Sequence, residues 1–332
     1  MRLYLLTTLL TFTSTLFLFS LSSQNYIEYQ RTFNRIDEDI LDSNYSLALQ
    51  RLDSIYNTYN FIYARHCIKS LQICCKVDDS TRADKFLAKC FRQGVPLWMV
   101  RSNELMRKSL NYSTAKYTIA HYDSLHQVYK ASINLALARQ IDSLFKIDQK
   151  RTRGVNDGLI PFRYVFYYPL WRHNNNKQFR ILSKIIDKYS FPGERLIGIP
   201  SYFEDSSIAA KNIVFYGPSF YDYRAYFMLI HYYSNPGHDI NEKLYQNVLT
   251  GYLPVSHYAS INDFQAENGK NKYGNYSYYN EWKHDPDTSH LPAINQRRAT
   301  LGMNTFEQQE RNVVLNRNWR KANVMGLQII LE

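Results

Sequence analysis

The sequence predicts a mainly α protein: a helical repeat-like N-terminal region packed on a helical C-terminal domain with at most a small β hairpin. Apolar residues recur at helical spacing along most of the chain, and Gly, only 12 in all, gathers with Pro in a few turn clusters. One stretch, 273–282, alternates enough to read as a hairpin. At 45% hydrophobic and 21% charged residues, the composition is that of a globular chain rather than a disordered one.

The first element is a leader. Met1-Arg2 precede an uncharged run over residues 3–21, and small Ser20, Ser22 and Ser23 follow just before Gln24. A positive start, an apolar centre and a small-residue end are the marks of a secretory signal peptide, here over 1–23 with cleavage expected near Ser22 or Ser23. The run approaches the length of a membrane span, so an uncleaved anchor is the alternative, and membrane contact is expected only in that case. The next cation after Arg2 is Arg31, so in either case the body of the chain is expected outside the cytosol. No Cys stands at the end of the run, which argues against a lipid-anchored lipoprotein.

A helical region over 24–120 comes next. Ala48, Leu52, Ile55 and Tyr56 share a face, then Tyr63, Cys67, Ser70, Leu71 and Cys74, then Ala83, Phe86, Leu87 and Cys90. Asp78-Asp79-Ser80 divides the second and third groups, with Ser80 the expected N-cap, and Gly94 and Pro96 close the unit. Residues 63–96 resemble a degenerate tetratricopeptide repeat, a two-helix unit of about 34 residues that must stack on neighbours to cover its apolar face. Cys67, Cys74 and Cys90 then fall on packing positions. Cys67, Cys74, Cys75 and Cys90 are read either as buried thiols acting as small hydrophobes or as including a disulfide across the pair, from Cys67 or Cys74 to Cys90. Paired Cys-x-x-Cys ligands are missing, so zinc is not expected.

The remainder, 121–332, reads as a second helical domain. A long amphipathic helix is expected over 121–150, ended by Arg153-Gly154, then an irregular aromatic stretch over 161–171. Further helices are expected over 177–189, 222–233, 241–252, 255–267 and 305–316.

The formal charge of +11 draws anions, yet the cations are spread along the chain in small groups such as Lys146, Lys150, Arg151 and Arg153. That reads as solvation, and nucleic acid is not an expected partner. Tyr is plentiful, at 29 residues beside 18 Phe; packing by an amphipathic ring is the leading reading and stacking on a sugar or peptide the other. The sequence holds no Gly-x-Ser-x-Gly elbow, phosphate loop, dinucleotide fingerprint or His-Glu-x-x-His frame. No cofactor or metal is therefore expected, although His231 with His238 and Asp239, or His284 with Asp285 and Asp287, offers ligand types without a ligand frame.

An ordered set of short motifs carries a resemblance. Asp148-Gln149, Phe191-Pro192, Ile230-His231, His257-Tyr258-Ala259 with Asp263, Tyr273-Gly274, Arg297-Arg298 and Leu301-Gly302-Met303 occur in sequence over about residues 130–310. In this it resembles a bacterial domain-of-unknown-function family of exported proteins, common among Bacteroidetes, some with a tetratricopeptide-like repeat ahead of the domain. The chain departs from that pattern in three places: Ile230 stands where the family has Gln, Phe264 where it has Arg, and Asn275-Tyr276 where it has Thr-Gln. The family brings no activity with it.

The candidate catalytic residues are His231, His257, Asp148 and Asp263, because a His oriented by a carboxylate can move protons near neutral pH. Gln149, Tyr273, Arg297 and Arg298 are candidate binding residues. For each histidine, a helix-end residue satisfied by a local hydrogen bond is the competing reading, and for Asp148 a cap or a pair with Arg151. The leading functional expectation is an exported binding protein with a peptide or protein partner in the cell envelope. The alternative is a hydrolase-like enzyme built on a His/Asp pair.

Overall fold

A computed structural model describes residues 24–157, 162–200, 222–233, 239–268, 278–281 and 288–309. Every regular element among them is helical, as the hydrophobic periodicity predicts. The leader, Tyr273-Gly274, His238, His284, Asp285, Asp287 and the chain after Gln309 lie outside the described residues. Of the expected hairpin, only 278–281 is described, and it is a turn with Asn280 in the left-handed region. Among the described residues no helix is long and apolar enough to cross a membrane.

The chain begins with α1 (Tyr26–Leu41), capped by Asn25, whose side chain accepts from the Ile27 N–H. α2 (Tyr45–Thr58), α3 (Ala64–Lys76) and α4 (Ser80–Arg92) follow. The cap of α4 is Asp79, not Ser80. Its carboxylate accepts the Arg82 N–H at 2.9 Å and pairs with the same side chain at 2.7 Å, so it meets both the orphan amide and the helix dipole. Between α3 and α4 the expected faces meet: Cys67, Cys74, Ala83, Phe86, Leu87 and Cys90 are all buried. All four cysteines are free and buried, which selects the thiol reading over the disulfide. Burial pushes the Cys67 thiol up to about 12 and Cys75 to about 11, so neither is a nucleophile at neutral pH.

Short helices α5 (Leu97–Ser102), α6 (Glu104–Arg107) and α7 (Lys116–Ala120) lead into α8 (Tyr122–Ser132) and α9 (Leu135–Asp157). Before them Gly94 turns the chain at φ +88°, where an added Cβ would stand 2.5 Å from the Tyr129 ring. The single helix expected over 121–150 is thus two. Ile133 is extended, and Asn134 caps the second helix through its side chain to the Leu137 N–H at 3.0 Å while its own N–H reaches the Leu196 carbonyl. The apolar stripe runs on through both halves, so periodicity alone hides the break. Gly154 does not end α9, which continues to Asp157.

The aromatic stretch is helical too. A π-helical turn (Arg163–Tyr167) feeds α10 (Tyr168–Tyr189), and Pro169 sits in its first turn, where a missing N–H costs nothing. The order ends with α11 (Glu194–Ile197), α12 (Arg224–Tyr233), α13 (Asn241–Leu249), α14 (Val255–Asn268) and α15 (Leu291–Thr300). α9, α10 and α12 pack on one another and α14 packs on α12. The core they share with α13 includes Ile141, Leu182, Leu229, Leu244, Val248 and Ile261, each worth roughly 1.5–3 kcal/mol of burial.

Two polar features tie α1 to α3 and to the C-terminal end of the described chain. Lys69 and Asp37 meet at 2.6 Å with both side chains fully buried, tying α3 to α1. The last turn of α15 and the chain after it lie across α1: Arg31 donates to the Ala299 carbonyl at 2.9 Å, Asn34 to the Gly302 carbonyl at 2.7 Å, and Gln308 to Glu38 at 3.0 Å.

Candidate functional site

Asp148 and His231, 83 positions apart in sequence, meet between α9 and α12. The buried Asp148 carboxylate lies 2.9 and 3.0 Å from His231 Nδ1. An acceptor there holds the proton on Nδ1 and leaves Nε2 as the open acceptor of the ring. The surroundings fix the geometry. Gln149 donates to Asp148 at 3.1 Å, the Trp171 indole N–H donates to Thr152 Oγ1 at 3.2 Å, and Asn175 donates to the His231 carbonyl at 2.9 Å. Trp171 also meets the imidazole edge-on at 6.0 Å. With 16% of its side chain exposed, His231 is reached by solvent. The Thr152 hydroxyl stands 3.4 Å from Nδ1, on the side already taken by Asp148, so it is not placed as a nucleophile for Nε2.

His257 belongs to a different place. It lies in α14 and lines a cavity of about 270 Å³ with Gln30 and Asn34 of α1, Arg65 of α3, Tyr223 and Tyr226 around the start of α12, and Arg298 of α15. Its ring stacks on Tyr226 at 4.2 Å and 16°. Burial, helped by the Arg65 charge, drives its pKa down to about 3, so it is a neutral imidazole with one donor and one acceptor nitrogen. The cleft mixes polar and apolar surface. Ser256, Ser260, Asn304 and Gln309 add hydroxyls and amides, and Glu281 stands 3.3 Å from Arg298.

Asp263 and the two arginines come together on one turn. The buried Asp263 accepts the N–H groups of Tyr279, Asn280 and Glu281 at 2.5, 3.2 and 2.7 Å. Burial lifts its pKa to about 7 in spite of the three amides. From the other side Arg298 donates to the Tyr279 carbonyl at 2.8 Å and the Asn304 carbonyl at 2.6 Å, and Arg297 donates to the Tyr278 carbonyl at 2.6 Å. Asp263 and Arg297 thus act as clamps on residues 278–281, whereas Arg298 both clamps and faces the cleft.

The four catalytic candidates therefore divide: Asp148 with His231, His257 in the cleft, and Asp263 on the backbone of a turn. Tyr273 lies outside the described residues. Arg65, Asn34 and Glu194 do not stand out in the sequence. Glu194 is buried, accepts the Ala64 N–H at 2.6 Å and Gln93 at 3.1 Å, and is pushed up to about 8 by burial. None of the three belongs to a motif; a charged residue at Arg65, just inside the apolar run of α3, is the one local signal. Among the described residues no group of three His, Cys, Asp or Glu is arranged to hold a metal.

Compared with family models, with curated proteins and with solved structures, the chain matches none.

Proposed function

We propose that this is an exported binding protein of the cell envelope, and that the cleft between α1 and α14 takes a short polar peptide segment bearing a carboxylate. The observation that carries the reading is the cleft's lining: a cation at Arg65, the stacked Tyr226–His257 pair, and hydroxyl and amide groups from several elements around about 270 Å³. A neutral imidazole and amides offer donors and acceptors together, as a peptide backbone requires, and a guanidinium suits a carboxylate fork. Convergent polar groups in a preformed concavity are the usual form of a ligand site. The leader and the resemblance to exported Bacteroidetes proteins support the location.

Calorimetric titration with short peptides, each as free acid and as terminal amide, tests it. The expected result is binding of the acid form, weakened roughly 10–100-fold in Arg65→Ala, the loss of one charge-assisted contact. Equal affinity for acid and amide, or an Arg65→Ala protein that binds as well as the parent, overturns it.

The His231–Asp148 contact at 2.9 Å favours a second reading, a hydrolase in which Nε2 serves as general base toward a water. In that case His231→Ala abolishes turnover of an ester or peptide substrate while leaving peptide binding in the cleft intact. Turnover unchanged in His231→Ala eliminates this reading.

A further inference from the structure

Half of the exposed large apolar side chains among the described residues are scattered singly, as on any protein. One group is not. Phe162, Tyr164, Val165, Phe166, Tyr167, Tyr168 and Leu170 follow one another along the π-helical turn and the first turn of α10, and all are exposed, Tyr164 to 65% and Val165 to 60%. This turn is the tip of an antiparallel helical pair. Trp171 bonds Thr152 and Gln178 bonds the Leu144 carbonyl, so α9 and α10 run back along each other below it.

The tip is fixed, and it is basic. Tyr167 packs on α9 at Gly154, where an added Cβ would stand 2.8 Å from its ring, and Arg163 donates to the Asn156 carbonyl. That contact sets the aromatic turn beside the end of α9, which carries Lys146, Lys150 and Arg153, all exposed, at positions i, i+4 and i+7 on one face. Arg151, Arg163 and Arg172 add to them; the carboxylates on these last turns are Asp157 and the buried Asp148, which is engaged with His231. π-turns of this kind recur at functional positions.

A rigid, exposed row of Tyr, Phe and aliphatic side chains flanked by cations has the chemistry of a lipid–water interface. Tyr and Phe settle at headgroup depth, and neighbouring Lys and Arg are drawn to anionic headgroups. We propose that the 162–170 tip docks on the surface of an anionic phospholipid bilayer, its aromatic row in the headgroup layer and Lys146, Lys150 and Arg153 on the lipid phosphates. This surface is separate from the peptide cleft and does not depend on it.

A probe placed at the tip tests the proposal whatever the leader does. The full chain carrying Val165→Cys is labelled with an environment-sensitive fluorophore; the four native thiols are buried, which directs the label to the tip. Phosphatidylglycerol–phosphatidylcholine vesicles should shift its emission to the blue, and phosphatidylcholine alone should not. Adding Lys146→Gln, Lys150→Gln and Arg153→Gln should weaken the response roughly 100-fold, at the usual contribution of each surface cation near anionic lipid. No shift with either vesicle overturns the proposal, and so does an equal shift with both. A shift that grows with protein concentration in the absence of lipid also overturns it, by showing a second copy on the tip.

Discussion

Asp37 in the N-terminal half and Asp263 in the C-terminal half are both fully buried carboxylates, and they are compensated differently. In the N-terminal helices Asp37 lies against Lys69 at 2.6 Å, a side chain equally buried. In the C-terminal helices Asp263 is met by three backbone N–H groups, and burial still lifts it to about 7. A cation brings a full opposite charge, whereas amides bring partial ones. The first arrangement fixes one helix on another; the second fixes a turn and makes it sensitive to pH.

The largest effect should come from breaking the pair. Lys69→Met leaves Asp37 buried without its cation and should cost about 4 kcal/mol in urea unfolding, while Lys69→Met with Asp37→Leu should recover most of that. Equal losses in the single and double variants would mean that packing, not charge, dominates there.

Next comes pH. Asp263 and Glu194 are raised from 3.8 and 4.5 to about 7 and about 8, so above pH 4.5 the folded state holds protons that the unfolded chain has released. Stability should therefore fall as pH rises toward about 8 and then level off. His257 works the other way: lowered to about 3, it leaves the unfolded state more protonated below pH 6.5 and partly offsets the slope there. The steepest loss should lie between about pH 6.5 and 7, on the order of several kcal/mol over the whole range, and Asp263→Asn should flatten it. Denaturation midpoints measured from pH 5 to 9 check the sign.

Removing the clamp is a smaller change. Asp263→Ala strands three amides of residues 279–281 and should cost about 3 kcal/mol near neutral pH, with faster proteolysis at that turn. The smallest effect is expected at the partly exposed site: His231→Ala should lower stability by about 1 kcal/mol, since Asp148 keeps Gln149 as a donor.

Side-chain periodicity made the helices legible, because each must bury an apolar stripe, and it led to the faces of α3 and α4 that meet. It missed the break at Ile133-Asn134 because both helices turn the same stripe inward. Of the site, His231 and Asp148 were legible by residue type only as members of a larger set of His and Asp candidates. Their partition from His257 and Asp263 was not, since it depends on which helices become neighbours. Lys69 shows the limit most clearly. In sequence it reads as one more solvated cation, and only the burial of nearly the whole of α3 turns it into a core residue.

The lay of residues 299–308 over α1 bears on how the chain is made. Arg31 and Asn34, in the first described helix, find their carbonyl partners in Ala299 and Gly302, almost at the end of the described chain. Until the ribosome has delivered that stretch, α1 has an uncovered flank, so native closure of the N-terminal helices is a late event in biosynthesis and a C-terminally shortened product would emerge without it.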